Sequence, residues 1–513
     1  MKGGRGKEKA RSIFRLYSAG KMKPSMVFLL VIIFASAMLA FLRFDSLQIG
    51  TSYDDAKYII LAESLASGQG YELINFPRPQ IERNFPPGWP LVLAPFTLVF
   101  PKNYDALKVV PLVLWSASIF LVYKLSSKRL SSPYLEILTT LVALNPLLIG
   151  TSVTLMSESA YLFFSLLALL AFDKAGEKKL GWLIFAAVLA FYTQQVRTIG
   201  IALTASLLII LLLAKRFKET GFVAVLFMVG FSLQSWLNLR NGGTVISSGY
   251  EAQVLSGSVM EKLGQVWANA SGYFDQVVAG SLIPAFGTRL DAMFSWLFIL
   301  VNIAILLSLA FGLFATKSKL EWMHIYFVIY AAGILAFWNP QVGSVKVRFL
   351  IPILPFLYFY FLNGLKWLTR ENPRIVIGIS AVIALVLLAR NLQDWHSPIR
   401  NQMTDLSIGT SWVAENAPSD AIVMVNEPVP AYVHVKRKTI NFPKNDQDLE
   451  KYLENQGIDY IVIAPPLRSP RSTDLDSDIA RIAEEFAAAP GKYKLVFEDS
   501  GKNVRVYQFM AGE

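Results

Sequence analysis

Cysteine is missing from this chain, which removes disulfides, thiolate metal sites and thiol catalysis together. Histidine is nearly missing: His324, His396 and His434 stand far apart in sequence, which argues against a histidine-rich metal centre. No G-x-x-x-x-G-K-S/T phosphate loop occurs, and the lone Gly68-Gln69-Gly70 follows a helical pattern instead of a strand, so no nucleotide fingerprint is present. Internal repeats and low-complexity stretches are absent as well. Charge is scarce at 17% of residues, whereas hydrophobic residues make up 54%, more than a water-soluble chain of 513 residues needs. Long uncharged runs recur from Met26 to Ala389, the mark of a polytopic membrane protein.

The formal net charge of +11 raises the question of nucleic acid, and its placement answers it. Lys2, Arg5, Lys7, Lys9, Arg11, Arg15, Lys21 and Lys23 crowd the stretch before the first apolar run, with Glu8 the only acid. A basic tail beside a span is a cytoplasmic anchor against anionic membrane lipid, so the charge reports topology and no nucleic-acid partner is expected. The run from about Met26 to Phe44 is longer than a signal-peptide core and reads as a retained signal anchor.

Spans are predicted near 26–44, 106–124, 134–150, 158–173, 180–196, 199–214, 220–238, 293–315, 321–338, 348–368 and 373–390, about eleven helices. The loops at 124–132, 173–179, 214–219, 316–319 and 366–374 are short and basic, hence cytoplasmic. The alternate loops at 45–105, 151–157, 239–292 and 339–347 then face outward, as does everything after Arg390. The expected division is a basic cytoplasmic tail (1–25), a transmembrane domain (26–390) and an extracytoplasmic α/β domain (391–513). In the last part DAIVMVNEP, AYVHVKRKTINF and DYIVIAPP read as strands, DQDLEKYLENQG and DIARIAEEFAAAPG as helices, and KLVFEDSGKNVRVYQF as a hairpin.

Chemistry-bearing residues gather at the predicted outer ends of spans. Ser52-x-x-Asp55 has the spacing of a capping box, followed by helical periodicity from Ala56 to Ala66 and a stop at Gly68. Asp54 and Asp55 therefore fit a helix cap, for which one carboxylate would suffice, and equally a base or cation ligand. Glu158 opens a later span, where first-turn capping through Ser157 or Ser159 is the plain alternative. Arg197 and Arg348 stand at span ends; they fit snorkelling to lipid phosphate or an inward clamp on a bound phosphate. Phe85-Pro86-Pro87-Gly88-Trp89-Pro90 predicts a stiff reversing turn, with its Trp at the membrane interface.

The order of these motifs resembles the GT-C glycosyltransferases of the protein mannosyltransferase and lipid A aminoarabinose transferase type. The matching pieces are Tyr53-Asp54-Asp55-Ala56-Lys57-Tyr58, the Pro86-Pro87-Gly88-x-Pro90 turn, Leu155 to Glu158, and Arg348, Phe349, Pro352 and Pro355. Two departures stand out: Asp55 replaces the more usual Glu, and Phe85 replaces a basic residue before Pro-Pro, with Arg83 near enough to substitute. The resemblance implies a cell-envelope enzyme that takes a monosaccharide from a polyprenyl-phosphate donor within the membrane. The acceptor would be an extracytoplasmic lipid, glycan or protein, and the transfer would proceed with inversion. It implies Asp54 or Asp55 as the base, Arg348, Arg197 and Arg83 on the donor phosphate, and Glu158 positioning the acceptor or a divalent cation such as magnesium or manganese. A lipid or solute transporter, a flippase and a non-catalytic assembly subunit are the competing classes. Transporters favour midplane charges and repeats, which this chain lacks.

Overall fold

A computed structural model describes residues 24–44, 49–176, 179–240, 258–286, 288–316, 321–337, 347–396, 404–443, 448–465 and 477–510. The basic tail and nearly all of the predicted 339–347 loop lie outside the described residues. The molecule is a mostly helical, polytopic membrane protein. Among the described residues six helices are long and apolar enough to cross a bilayer: Pro24–Leu42, Tyr104–Ser126, Phe217–Arg240, Ser295–Thr316, Val347–Leu368 and Pro373–Trp395. The predicted spans 134–150, 180–196, 199–214 and 321–338 hold shorter apolar helices, and 158–173 falls within Glu158–Ala175, an 18-residue helix that carries Glu158, Asp173 and Lys174. Burial sorts the six: Val347–Leu368 is 89% buried and forms the centre, whereas Pro24–Leu42 and Ser295–Thr316 are 17% buried and face outward from the bundle.

Two predicted spans are broken where proline dictates. The segment 134–150 is two helices, Tyr134–Ala143 and Pro146–Thr151, because Pro146 has no N–H for the preceding turn. Asn145 turns the break into a cap: its side-chain oxygen accepts from the Leu147 and Leu148 amides, while its Nδ2 donates to the Ser281 carbonyl and Tyr358 hydroxyl. The segment 348–368 opens as a tight 3-10 turn, Val347–Ile353, and becomes α-helical at Leu354–Leu368, with Pro355 in its first turn. That helix crosses Ser295–Thr316 with the backbones in direct contact. A Cβ on Gly312 would lie 1.8 Å from the Tyr360 carbonyl oxygen, and one on Gly364 would lie 1.7 Å from that of Ser308.

The C-terminal part holds a five-stranded sheet. Its strands are β3 (Ile422–Val425), β4 (Lys438–Ile440), β5 (Tyr460–Ile463), β6 (Tyr493–Asp499) and β7 (Val504–Phe509), after the short hairpin of β1 (Glu72–Leu73) and β2 (Gln80–Ile81). The order is β4-β3-β5-β7-β6, parallel among β4, β3 and β5 and antiparallel beyond. Alternate side chains enter two separate cores, Val423, Val425 and Val462 on one face and Met424, Ile461 and Ile463 on the other. Helices cover both faces, so both are apolar. One expectation fails here. Only the second half of AYVHVKRKTINF is a strand; Pro428–Val435 is a helix, with Pro428 at its start and Lys436 closing it in the left-handed conformation.

Candidate active site

Asp54 and Asp55 open an acidic helix, Asp54–Ala66, that lies outside the spans. The predicted capping box does not form. Tyr53 holds the N-cap position with φ of 61°, and no side chain caps the helix. A bulky residue in this region stores about 1–3 kcal/mol of strain, which is found where surrounding contacts over-determine the backbone. The strained turn aims the two carboxylates in different directions.

Asp55 points inward and is only 2% exposed. Its two carboxylate oxygens accept from the Gly50 amide at 2.8 Å and the Ala56 amide at 2.9 Å. Burial raises its pKa from the ordinary range to about 7, against the pull of these two amides, and the neighbouring Asp54 charge adds to the rise. Between the unfolded value near 3.8 and about 7, the folded chain keeps a proton that the unfolded chain releases. The stabilising contribution is therefore complete below the unfolded pKa and disappears as pH rises through the folded one. The expected result is a thermal midpoint that declines between pH 5 and 8, roughly, in buffered detergent, with a flatter slope in Asp55→Asn. An equal slope in both proteins would remove Asp55 as the cause.

Asp54 points the other way and accepts from Arg348 at 3.0 Å. Arg348 leads the Val347–Ile353 turn and lies over the Phe349 ring, so it does not snorkel away from the bundle. Glu158, 1% exposed, pairs with Arg197 at 2.5 Å. Ser157 Oγ accepts from Arg197 at 3.1 Å and from the Tyr58 hydroxyl at 3.3 Å. Tyr58 lies one turn beyond Asp54 on the acidic helix, so this second pair braces the helix that carries the first. The expected capping at Glu158 is replaced by this network: Ser157 makes no side-chain cap, and Ser159 Oγ donates to the Thr151 carbonyl.

The proline segment departs from its prediction. Pro87 is the N-cap of a helix, Gly88–Val99, and Gly88 is not in the left-handed region. Glycine is required there for a different reason: a Cβ would lie 2.5 Å from the Gln195 carbonyl carbon and oxygen. Trp89 is buried, and its Nε1 donates to the Leu155 carbonyl at 2.7 Å, so it ties this helix to the Glu158 segment instead of marking the membrane interface. Pro86 accepts the Tyr71 hydroxyl at its carbonyl. Arg83 is exposed, two residues before Phe85. Sequence reasoning missed Lys57 and Glu82. Their ammonium and carboxylate pair at 2.6 Å, Lys57 lies over the Phe85 ring at 4.4 Å, and Glu82 accepts from the Asn84 and Phe85 amides. Lys57 sits at i+3 from Asp54, the one signal that could have flagged it.

Among the described residues no group of three or more His, Asp or Glu side chains is disposed to hold a metal. Asp54 and Glu158 each already face a guanidinium, so these residues fit a divalent cation poorly.

No family model and no curated protein matches the sequence. Solved structures do match in shape. ArnT, a lipid A aminoarabinose transferase, from Cupriavidus metallidurans bound to undecaprenyl phosphate superposes with a TM-score of 0.59 over 95% of this chain and 98% of that one, at 11% identity. Its apo state gives 0.60 over the same shares. The chain has a GT-C fold. The arabinofuranosyltransferase AftD from Mycobacteria shares this GT-C shape at a TM-score of 0.51 and 12% identity, over 96% of this chain and 42% of that one. The resemblance read from the motif order thus holds at the level of the GT-C fold, and the chemistry rests on this chain's own residues.

Proposed function

We propose that the protein is an integral-membrane glycosyltransferase that moves a monosaccharide from a polyprenyl-phosphate donor to an extracytoplasmic acceptor, with inversion. The observation that carries this reading is the Asp54–Arg348 pair, which joins a carboxylate and a guanidinium 294 positions apart at the start of the acidic helix. Undecaprenyl phosphate bound to a protein of the same fold supports a lipid phosphate as the group that Arg348 recognises. In this reading all eleven predicted apolar segments belong to the membrane bundle. The N-terminus is cytoplasmic, and the acidic helix and the sheet unit are extracytoplasmic.

At rest Arg348 and Asp54 neutralise each other. A donor phosphate competes for the guanidinium through charge-assisted hydrogen bonds and leaves the Asp54 carboxylate free. The acceptor hydroxyl oxygen then attacks the anomeric carbon from the face opposite the phosphate. Its proton passes to Asp54, the bond from carbon to phosphate oxygen breaks, and its electron pair stays on the phosphate, where Arg348 stabilises it. A phosphate monoester leaves without protonation, so one carboxylate is enough, unlike the pair a glycosidase needs. Glu158 and Arg197 act from behind, through Ser157 and Tyr58, and Arg83 lies on the adjoining loop. No step is assigned to a cation.

Purified protein incubated with polyprenyl-phosphate sugars is expected to release polyprenyl phosphate. Movement of the lipid without bond cleavage would instead support transport. Arg348→Ala is expected to raise the donor KM by roughly 10- to 100-fold, the worth of a hydrogen bond to a charged group. An unchanged donor KM would remove Arg348 from the phosphate.

A further inference from the structure

The helix Pro428–Val435 belongs to two cores at once. Val429 and Val433, one turn apart, pack into the large core that includes the acidic helix. Ala431 and Val435, on the opposite side, pack into the core of the sheet. Polar contacts extend this joint to both ends of the acidic helix. Near its far end, Glu63 accepts from Tyr104 at 2.9 Å with one oxygen and from Tyr432 at 3.0 Å with the other. Ahead of its first turn, His434 Nε2 donates to the Ile49 carbonyl at 3.2 Å. The next amide, that of Gly50, is the one that binds Asp55. A third grip holds the β1–β2 hairpin that leads to the proline segment. Lys438 Nζ donates to the Ile74 carbonyl, the Thr439 amide to the Asn75 carbonyl at 2.7 Å, and Asn75 Nδ2 to Thr439 Oγ1.

We infer that Tyr432 and His434, acting with Glu63, are positioning residues through which the C-terminal sheet unit sets the orientation of the Asp54 carboxylate. The inference rests on the proposed transfer reaction for its catalytic readout. The chain of contacts is short: His434 fixes Ile49, Gly50 fixes Asp55, and Asp55 and the strained Tyr53 flank Asp54 in the same turn. Tyr432 fixes the axis of the helix two turns farther on. A base displaced by about 1 Å from its proton loses on the order of 100-fold in rate, so a distant grip of this kind registers in turnover. Neither residue touches the reacting atoms.

The test uses the full chain in detergent micelles, with His434→Ala, His434→Gln and Tyr432→Phe. The Gln side chain keeps an N–H donor at similar reach, and Phe keeps the ring while deleting the hydroxyl. The expected result for His434→Ala and Tyr432→Phe is a fall in kcat of roughly 10- to 100-fold with the donor KM little changed. His434→Gln should recover most of the loss. Amide exchange should quicken in the segment 49–58 for His434→Ala and stay slow in β3, β5 and β7. Turnover within about twofold of the unsubstituted protein in both variants would overturn the inference. So would exchange that quickens across the strands as well, since that places the residues in the stability of the sheet unit. The exchange measurement needs no substrate, so a failure of the transfer reading itself shows separately, as absent turnover in the unsubstituted protein.

Discussion

Asp54→Asn is expected to lower sugar transfer by roughly 100- to 10,000-fold, the usual worth of a general base, while the thermal midpoint stays in place. The substitution is isosteric, and the Asn oxygen still accepts from Arg348. The lost ion pair is partly exposed, 24% on the Asp54 side, and pairs of that kind contribute about 0–1 kcal/mol. Asp55→Asn should behave in the opposite way. Both Asp55 oxygens accept backbone amides, so an Asn there sets its own NH2 against one of them. An orphaned buried donor costs about 1–3 kcal/mol, which appears as a lower midpoint. Wild-type turnover in Asp54→Asn, measured as released polyprenyl phosphate, would sink the base assignment whatever the midpoints do.

The largest stability effect is expected at Glu158. Its carboxylate is 1% exposed, and its charge is answered by Arg197. Glu158→Ala leaves that guanidinium buried with no counter-charge from Glu158, at a cost of about 3–5 kcal/mol. It also loosens Ser157, which Arg197 and Tyr58 share. Removing both charges together, as Glu158→Gln with Arg197→Met, should recover much of the midpoint, because the penalty comes from the stranded charge and not from the missing attraction. Equal midpoints for Glu158→Ala and the parent would show that the pair has no structural role and leave the network argument without its anchor.

How far the sequence went is clear from particular residues. Apolar runs located most of the long helices, because hydrophobic length acts locally, whereas 134–150 and 348–368 read as unbroken spans and each is interrupted beside a proline, at Pro146 and between Pro352 and Pro355. Alternation located most strands of the sheet, and it failed at Ala431–Val435, where a Val-His-Val pattern imitates a strand inside a helix that Pro428 had already started. The two aspartates were found together and could not be told apart. Adjacent residues on a helix point about 100° apart, and which direction is buried depends on elements hundreds of positions away. The same holds for partners: four charged residues were singled out one by one, and only the tertiary fold pairs Asp54 with Arg348 and Glu158 with Arg197. Trp89 was misplaced for a related reason, since its acceptor is the Leu155 carbonyl, which no local pattern announces.

The crossing of Ser295–Thr316 over Leu354–Leu368 left one trace in the sequence, the small pair Ser308 and Gly312 one turn apart. In the fold, Ser308 Oγ donates to the Phe361 carbonyl at 2.9 Å, and the two glycines let the main chains touch. Two helices in main-chain contact form a closed seam with no width for a hydrocarbon tail. A hydrocarbon chain therefore has no room to pass between this pair at the level of Ser308–Gly312 and Tyr360–Gly364.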